Sequence, residues 1–408
     1  MNVARLLWEI ASKAPDRIAL RNPERAVTFE ALVKRAAAIR DVLVSEGLKP
    51  GERVAILLPH GSDGAAAFYG AAAAGAIATV INWLYRPRQV ETVLEHAGVV
   101  MLITTREWVS QQARSLETGE KTRIIYIDDV PDAGAGEPVD AESDTPAQIS
   151  YTSGSTGGPK GVVMSHSNLL AGIRTVVGYL GITAEDRIAS PLPFSFVYGF
   201  NQLNCVVATG ATLDMLSATT PADVVRTLAE RKTTVLAGVP PFFMQLLKVA
   251  EFQAPLEALR TITCAGGRLS PEAVKAVRVA QPQAQLYLMY GLTEVFRSTF
   301  LPPAEVDAHP DSMGRAVPGS AVYVIREDGK TVCDDGEVGE LVHAGPTVAL
   351  GYWNDPETSA RVFRPNPVSN GTDASLARAA FSGDLVRRDA EGRLYYVGRR
   401  DRMIKTLG

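Results

Sequence analysis

The segment richest in chemistry runs Ile149-Ser-Tyr-Thr-Ser-Gly-Ser-Thr-Gly-Gly-Pro-Lys-Gly-Val-Val-Met164. A β-like stretch, Gln148 to Tyr151, enters a loop that holds Thr152, Ser153, Ser155 and Thr156, glycines 154, 157, 158 and 161, and one cation, Lys160. Glycine lets a backbone curl close to an anion, so N–H groups and hydroxyls in such a loop can surround phosphate oxygens while the lysine adds a point charge. Three standard patterns are not met. A P-loop counted from Gly154 needs glycine where Pro159 stands. A G-x-S-x-G nucleophile elbow needs glycine at Ser153. The dinucleotide pattern G-x-G-x-x-G is absent from the loop. A plain surface turn is the alternative for any Gly/Ser cluster; the density of hydroxyls, the single lysine and the strand-like Val-Val-Met that follows argue against it.

Further chemistry-bearing segments follow in order: Cys264-Ala-Gly-Gly-Arg-Leu-Ser270, Tyr290-Gly-Leu-Thr-Glu294, Gly336-Glu-Val-Gly-Glu-Leu341, Gly345 through Gly351-Tyr-Trp-Asn-Asp-Pro-Glu-Thr358, Phe381-Ser-Gly-Asp384 and Gly398-Arg-Arg-Asp401. Together with YTSGSTGGPKG, their order and spacing resemble the AMP-forming, adenylate-forming superfamily of acyl-CoA synthetases, firefly-type luciferases and adenylation domains of nonribosomal peptide synthetases. The resemblance covers essentially the whole chain.

That resemblance implies attack of a substrate carboxylate on the α-phosphorus of ATP, which releases pyrophosphate and leaves an acyl-adenylate. Such chemistry needs charge neutralisation and in-line positioning more than covalent help. The resemblance gives Thr152, Ser153, Gly154, Ser155, Thr156, Gly157 and Lys160 to the β and γ phosphates, and Thr293 to the α-phosphate. Glu294 is the implied Mg²⁺ ligand, since a hard cation takes a carboxylate together with phosphate oxygens. Lys160, Thr293 and Glu294 are thus the expected catalytic residues. Tyr290, with Gly291 after it, is expected to stack on adenine opposite Gly266 and Gly267, with Arg268 in the same loop. Asp384 would accept from the ribose hydroxyls, Arg399 would be a second ribose contact, and Asp401 the hinge. Outside this pattern, Thr-Glu reads as a helix start with Thr as N-cap, and each charge as a surface charge.

The expected acyl pocket lies in Leu192-Pro-Phe-Ser-Phe-Val-Tyr-Gly-Phe200. Counted back from Thr209-Gly210, Phe196 takes the aromatic position beside the carboxylate, followed by Val197, Tyr198 and Gly199. Val197 stands where amino-acid-activating relatives place an Asp. An α-ammonium there would be a buried cation without its partner, which is costly. The expected substrate is therefore a carboxylic acid without an α-amino group, aliphatic or aryl. Phe194, Phe200, Asn201 and Val239 to Phe242 are further candidates for the lining, with core packing as the equal alternative.

The function implied is the N-terminal adenylation domain of an acid–thiol ligase that uses ATP and Mg²⁺ and passes the acyl group to coenzyme A. Alternatives are an acyl-AMP ligase loading a carrier-protein phosphopantetheine, and a nucleotide or acyl-adenylate binding module with little turnover. The family places a smaller C-terminal domain after the hinge. The chain ends seven residues past Asp401, and Lys405 does not match that domain's catalytic lysine. A weakly active or inactive fragment is the expectation.

The elements that must position these residues follow from pattern and composition. The chain has 408 residues with 41 Lys and Arg against 45 Asp and Glu, a net charge of −4, so a nucleic-acid-wrapping role is disfavoured. Three scattered cysteines and five scattered histidines form neither a disulfide framework nor a metal-ligand pattern, and the expected compartment is cytoplasmic. The N-terminus has no signal-peptide core; its apolar residues recur at helical spacing. Gly64 to Trp83 carries no charge, but its Ala and Gly content predicts a close-packed buried helix and a short strand rather than a membrane span.

A βαβ rhythm runs through Val54–Leu58, Ala78–Ile81, Val99–Ile103 and Arg123–Ile127, and residues 129–147 read as a surface loop. A second αβ region holds strand candidates Thr234–Ala237, Thr261–Thr263 and Gln285–Met289. After Met313, Ala321–Ile325, Gly339–His343 and Arg393–Val397 alternate as in a small antiparallel sheet or barrel. Residues 364–380 read as a mobile polar loop, and Glu185-Asp186-Arg187 as a solvated turn. His166 is expected at a capped helix entry, and Cys205 and Cys264 as inert small hydrophobes. The expected fold class is α/β, with two αβ subdomains of β-sheets sandwiched by helices plus a smaller β-rich, barrel-like subdomain. The expected boundaries are 1–190 (phosphate loop), 191–315 (acyl pocket and adenine site), 316–398 (β-rich) and 399–408 (hinge).

Overall fold

The computed structural model describes residues 1–112, 122–153, 159–216, 220–369 and 371–400. It is a mixed α/β structure of two compact units, each assembled from separate stretches of chain. The first comprises 1–173, 193–215 and 349–356; the second comprises 174–192, 216–348 and 357 onward. These stretches differ from the consecutive boundaries read from the sequence: the acyl segment and the Gly351-Tyr-Trp segment both fold into the first unit.

In the first unit, seven strands lie in the order Gly351–Tyr352, Pro159–Ser165, Pro146–Ser153, Ile77–Val80, Arg53–Ile56, Val99–Thr104, Arg123–Tyr126. From Pro146–Ser153 onward the neighbours are parallel, while Pro159–Ser165 pairs antiparallel on both sides. Parallel strands are covered on both faces, which is why Val99 to Ile103 is an unbroken apolar run. The helix Ser62–Ala73 is buried from Gly64 to Ala73. A Cβ on Gly70 would stand 2.6 Å from the Ala36 carbonyl oxygen, so the Ala/Gly composition reflects close packing against the helix Phe29–Ser45. No helix among the described residues is long and apolar enough to cross a membrane.

The helix His166–Leu180 opens with a reciprocal cap: Ser165 N donates to Asn168 Oδ1 (3.0 Å) and Asn168 N donates to Ser165 Oγ (3.1 Å). His166 is buried, accepts from Val3 N through Nδ1 at 3.1 Å, and is held neutral by burial, which lowers its pKa to about 4.

In the second unit, ten strands follow the order Ala321–Ile325, Val338–Ala344, Arg378–Arg388, Leu394–Arg399, Ser312–Ala316, Thr299–Leu301, Gln285–Tyr290, Thr261–Cys264, Val235–Gly238, Arg187–Ser190. The last four are parallel and the rest antiparallel. The expected β-rich strands are thus present, but they extend an open sheet; no closed barrel forms among the described residues.

Two expectations are corrected here. Asp186 is not in a solvated turn: it is buried, accepts from Thr234 Oγ1 (2.6 Å) and Thr183 N (2.8 Å), and pairs with Arg260 (2.6 Å). Those hydrogen bonds and the guanidinium hold its carboxyl below the usual range against the opposing effect of burial. The polar segment 364–380 is not a bare loop. Strand Phe363–Pro365 pairs with Arg378–Arg388, and buried Asn366 ties the segment together by donating from Nδ2 to Leu376 O (2.9 Å) and from its backbone N–H to Ala377 O (2.8 Å).

Candidate active site

The expected site residues fall in both units, and each half has its own geometry. In the first, strands Pro146–Ser153 and Pro159–Ser165 form a hairpin whose register sets Thr152 opposite Lys160 and Ser153 opposite Pro159. Directly opposed residues of an antiparallel pair share a face, so the Thr152 hydroxyl and the Lys160 ammonium leave the sheet on one side. Lys160 Nζ lies 5.6 Å from the centroid of the Tyr352 ring, and among the described residues no carboxylate pairs with it. A cation–π contact of this kind is worth about 0.5–1 kcal/mol at an exposed site, weak enough to leave the charge usable by an anion.

Gly161 has a packing role: a Cβ there would meet Ile149 Cγ2 at 2.7 Å, and Trp353 N donates to its carbonyl at 2.7 Å. The start of the loop is anchored by Tyr151, whose hydroxyl is 2.8 Å from His96 Nδ1 and whose pKa burial pushes well up. Gly154, Ser155, Thr156, Gly157 and Gly158 lie outside the described residues.

The acyl segment is in the same unit. Phe196, 48% exposed, precedes the helix Val197–Thr209. Val197 and Tyr198 are half-buried; Gly199, Phe200 and Asn201 are buried. Phe194 packs edge-on against His60 with centroids 4.6 Å apart, and burial lowers the His60 pKa to about 4. Ser195 and Phe196 help line a cavity of about 20 Å³ with Tyr85 and Tyr151, space for roughly one water. Among the described residues, Ser195 Oγ, both His60 ring nitrogens and both Asn201 amide atoms are buried without a hydrogen-bond partner. Asn204, one turn on, is satisfied: it accepts from Tyr69 Oη (2.8 Å) and donates to Phe200 O (3.1 Å).

In the second unit, Gln285–Tyr290 ends at Gly291, where a Cβ would come 3.0 Å from the Phe296 carbonyl oxygen. Thr293 is not the N-cap of an α-helix. Thr293–Val295 form one 3₁₀ turn, closed by a γ-turn at Phe296 (φ 61°, ψ −70°) in which Arg297 N donates to Val295 O at 2.7 Å. Positive φ at a buried aromatic residue is strained, and such strain clusters where side-chain placement matters.

Beside this turn is a hydrogen-bonded network, in which only His343 Nε2 is buried without a partner among the described residues. The Tyr290 hydroxyl donates to Asp384 Oδ2, and Arg399 Nη1 donates to Asp384 Oδ1 at 2.9 Å. Asp384 also donates from its backbone: its N–H bonds Ser382 Oγ at 3.0 Å. Burial, and then the Asp384 charge, raise the Tyr290 pKa well above its ordinary value, so the phenol stays a neutral donor. The Tyr290 ring stacks on His343 (centroids 5.9 Å, 19° between planes). His343 Nδ1 bonds Ser298 Oγ, and burial lowers the His343 pKa to about 3. Gly383 takes φ +71° with a Cβ position 3.2 Å from Arg399 Nη2, and its N–H donates to Glu340 Oε1 at 2.9 Å. A side chain at 383 would therefore be strained and would press on Arg399.

Of the expected nucleotide residues, Tyr290, Asp384 and Arg399 are brought into direct contact, and the Glu294 charge acts on Tyr290. A Cβ on Gly266 (φ +82°) would meet Val239 Cγ1 at 3.2 Å and one on Gly267 would meet Pro240 Cγ at 3.3 Å, and exposed Arg268 precedes the Ser270-capped helix Pro271–Ala280. Asp401 lies outside the described residues. His343, Ser298, Glu340 and His96 were not singled out from sequence. The one available signal was His343 itself, a titratable residue inside the apolar run Leu341-Val-His-Ala344. Among the described residues no group of three His, Cys, Asp or Glu could cage a metal; a magnesium ion at Glu294 would complete its shell with phosphate oxygens and water.

Residues 7–353 match the family described as AMP-binding enzyme, and the chain belongs to that family. Its relatives are adenylate-forming synthetases and ligases. The chain is similar to delta-poly-L-ornithine synthetase of Acinetobacter baumannii, 29% identical over 409 residues, which covers 100% of this chain and 30% of that protein. Among solved structures it is similar to VinN in complex with L-aspartate (TM-score 0.85, 28% identity, 98% of each chain covered). It is also similar to o-succinylbenzoate coenzyme A synthetase of Bacillus subtilis in complex with AMP (TM-score 0.86, 26% identity, 98% of this chain and 79% of that one). The chain spans 30% or less of the length of three of the curated relatives it matches. Relatives of both kinds, named for amino acids and for other acids, stand against reading Val197 alone as excluding an amino acid.

Proposed function

We propose that this chain activates a carboxylic acid with ATP, forming acyl-adenylate and pyrophosphate, and that the acyl group then passes to coenzyme A. The observation that carries the reading is the Tyr290–Asp384–Arg399 network. It is a carboxylate fixed by two donors, with lone pairs left on both oxygens for a vicinal diol such as ribose. Tyr290 and Gly291, with Gly266, Gly267 and Arg268, are assigned the base. Thr152, Ser153 and Lys160, with the glycines and hydroxyls of 154–157, are assigned the β and γ phosphates, and Thr293 the α-phosphate.

In the first step a carboxylate oxygen forms a bond to the α-phosphorus, and the bond to the bridging oxygen breaks. That oxygen departs with the electron pair as part of pyrophosphate. Lys160 would offset the charge that builds on the leaving group, and Thr293 would hold the α-phosphate in line. Magnesium, when bound through Glu294, would neutralise phosphate charge. In the second step a thiol sulfur attacks the acyl carbonyl, AMP leaves, and the thiol proton is released. Phe196, Val197, Tyr198 and Gly199 are assigned to the acid.

The test is ATP–pyrophosphate exchange over a panel of acids, followed by coenzyme A-dependent AMP formation. Acid-dependent exchange supports adenylation. AMP formation that ignores coenzyme A but responds to a phosphopantetheinylated carrier protein would move the acceptor to that carrier. ATP binding with no exchange for any acid would reduce the chain to a nucleotide-binding module.

A further inference from the structure

The hairpin that carries Thr152 and Lys160 is held from its other face. Side chains alternate along a strand, so Tyr151, one residue before Thr152, leaves the sheet on the side opposite to the Thr152 hydroxyl and the Lys160 ammonium. The register sets Tyr151 directly across from Gly161. The tyrosine ring uses the room that glycine leaves, since a Cβ on Gly161 would meet Tyr151 Cζ at 3.1 Å. Burial keeps the Tyr151 hydroxyl protonated, and it lies 2.8 Å from Nδ1 of His96, in the last turn of the helix Pro87–Ala97.

From His96 the contacts return to the hairpin. The His96 carbonyl oxygen accepts from Asn354 Nδ2 at 3.1 Å, and the residue before Asn354, Trp353, donates its N–H to Gly161 O at 2.7 Å. Tyr151, His96, Asn354, Trp353 and Gly161 therefore form a ring of contacts around the hairpin stem, closed by the cross-strand pair. Asn354 takes φ 52°, in the left-handed region that asparagine tolerates better than most residues. Arg53 braces the same ring. It donates from Nε to Ala97 O (3.0 Å) and from Nη2 to Gly98 O (2.7 Å), which fixes the end of the His96 helix, and its guanidinium lies 5.7 Å from the Trp353 ring centroid. Every member belongs to the first unit.

We propose that His96 is a positioning residue for the phosphates: through the Tyr151 hydroxyl it fixes the stem so that Thr152 and Lys160 meet the β and γ phosphates together. His96 bonds Tyr151 on the face away from that anion, so it acts through the tyrosine and touches no nucleotide itself. Two groups that share one anion gain from a fixed separation, and a stem free to twist would lose part of that gain. The effect is confined to ligands that carry β and γ phosphates. AMP, whose assigned contacts Tyr290, Asp384 and Arg399 lie in the second unit, is spared. This inference rests on the adenylation reading above.

The test is calorimetry on the 408-residue chain with magnesium, titrating AMP and α,β-methylene-ATP, whose carbon bridge blocks turnover. His96→Phe should weaken the ATP analogue about fivefold, the range of one hydrogen bond, and leave AMP within about twofold. His96→Asn, whose Oδ1 takes the place of Nδ1, should recover most of the loss. Tyr151→Phe should match His96→Phe, and the double variant should lose no more than either alone, because the two residues act through one bond. Should His96→Phe fail to fold, Tyr151→Phe carries the same comparison of the two nucleotides. AMP weakened as much as the ATP analogue would overturn the proposal, and so would losses that add in the double variant. If both nucleotides bind and His96→Phe changes neither, this inference alone falls. If neither binds the unaltered chain, the adenylation reading itself falls and takes this inference with it.

Discussion

The two units differ in how the polar groups of their expected site residues are met, although each also holds buried atoms unmet among the described residues, His343 Nε2 in the second among them. In the second unit, Asp384 accepts from Tyr290 and Arg399, and Gly383 is tied to Glu340 before any nucleotide arrives. In the first unit, the acyl segment is flanked by groups with no partner among the described residues: His60, Ser195 and Asn201. A cofactor shared by a whole family can be met by a carboxylate held ready in advance. A substrate that varies from member to member is met by side chains whose partners only that substrate brings. Preorganisation lowers the cost of binding, whereas unmet polar groups select by penalising the wrong ligand.

That contrast can be broken in several ways. The largest expected effect is on stability. His60, His166 and His343 are held neutral by burial, with pKa values lowered to about 4, 4 and 3. The unfolded chain takes up protons near pH 6.5 and the folded chain does not. Stability is therefore complete above pH 6.5 and is lost as pH falls toward the folded values, by up to about 2 kcal/mol per histidine at pH 5. Urea unfolding at pH 7 and pH 5 measures this, and His343→Phe should flatten its share of the slope. A stability unchanged across that range would show that the histidines are met in solution.

Next is Asp384→Asn. It removes the charge on which Arg399 and the ribose reading depend, and should raise KM for ATP by about 10- to 100-fold, the range of a charge-assisted hydrogen bond. A KM within twofold of the unaltered chain would remove the ribose assignment.

Tyr290→Phe is a finer probe. It keeps the ring against His343 and deletes only the hydroxyl, so KM for ATP should rise about fivefold with kcat little changed. The preference for ATP over 3′-deoxy-ATP should shrink. If kcat falls and that preference stays, Tyr290 does not act through Asp384.

The smallest expected effect is Tyr352→Leu, which removes the ring beside Lys160. About a twofold loss in kcat/KM follows from a surface cation–π contact, with Tyr352→Phe restoring it. Loss in both variants would assign the effect to the hydroxyl.

Much of this molecule is legible in its sequence, for identifiable reasons. Val99–Thr104, Arg53–Ile56 and Gln285–Tyr290 announce themselves because strands buried in a largely parallel sheet carry near-continuous apolar runs, interrupted here only at their ends and at Tyr287. The cap at His166 is readable because Ser165 and Asn168 bond locally. The Asp186 environment was not readable. Its neighbours Thr234 and Arg260 are dozens of residues away, and local composition gives a solvated turn. The same holds for 364–380, where Asn366 supplies bonds that composition does not reveal. Of the candidate site, residue types and order were legible, while the contacts of Tyr290 were not: adenine stacking was expected, and a bond to Asp384 was found.

By itself, then, the sequence determined the chemistry on offer: a hydroxyl-rich loop with one lysine, a Thr-Glu pair, an aspartate in Phe-Ser-Gly-Asp and a helix without charge, each a local property of residue type and spacing. Only the tertiary structure decided which groups meet. Tyr290 and Asp384 are 94 positions apart and reach each other because their strands belong to one sheet, whereas Asn201, with polar neighbours in its own helix, finds no partner among the described residues. Hydrogen bonding over such separations is set by strand order and register, and a one-residue shift in register would turn Asp384 to the other face of its sheet.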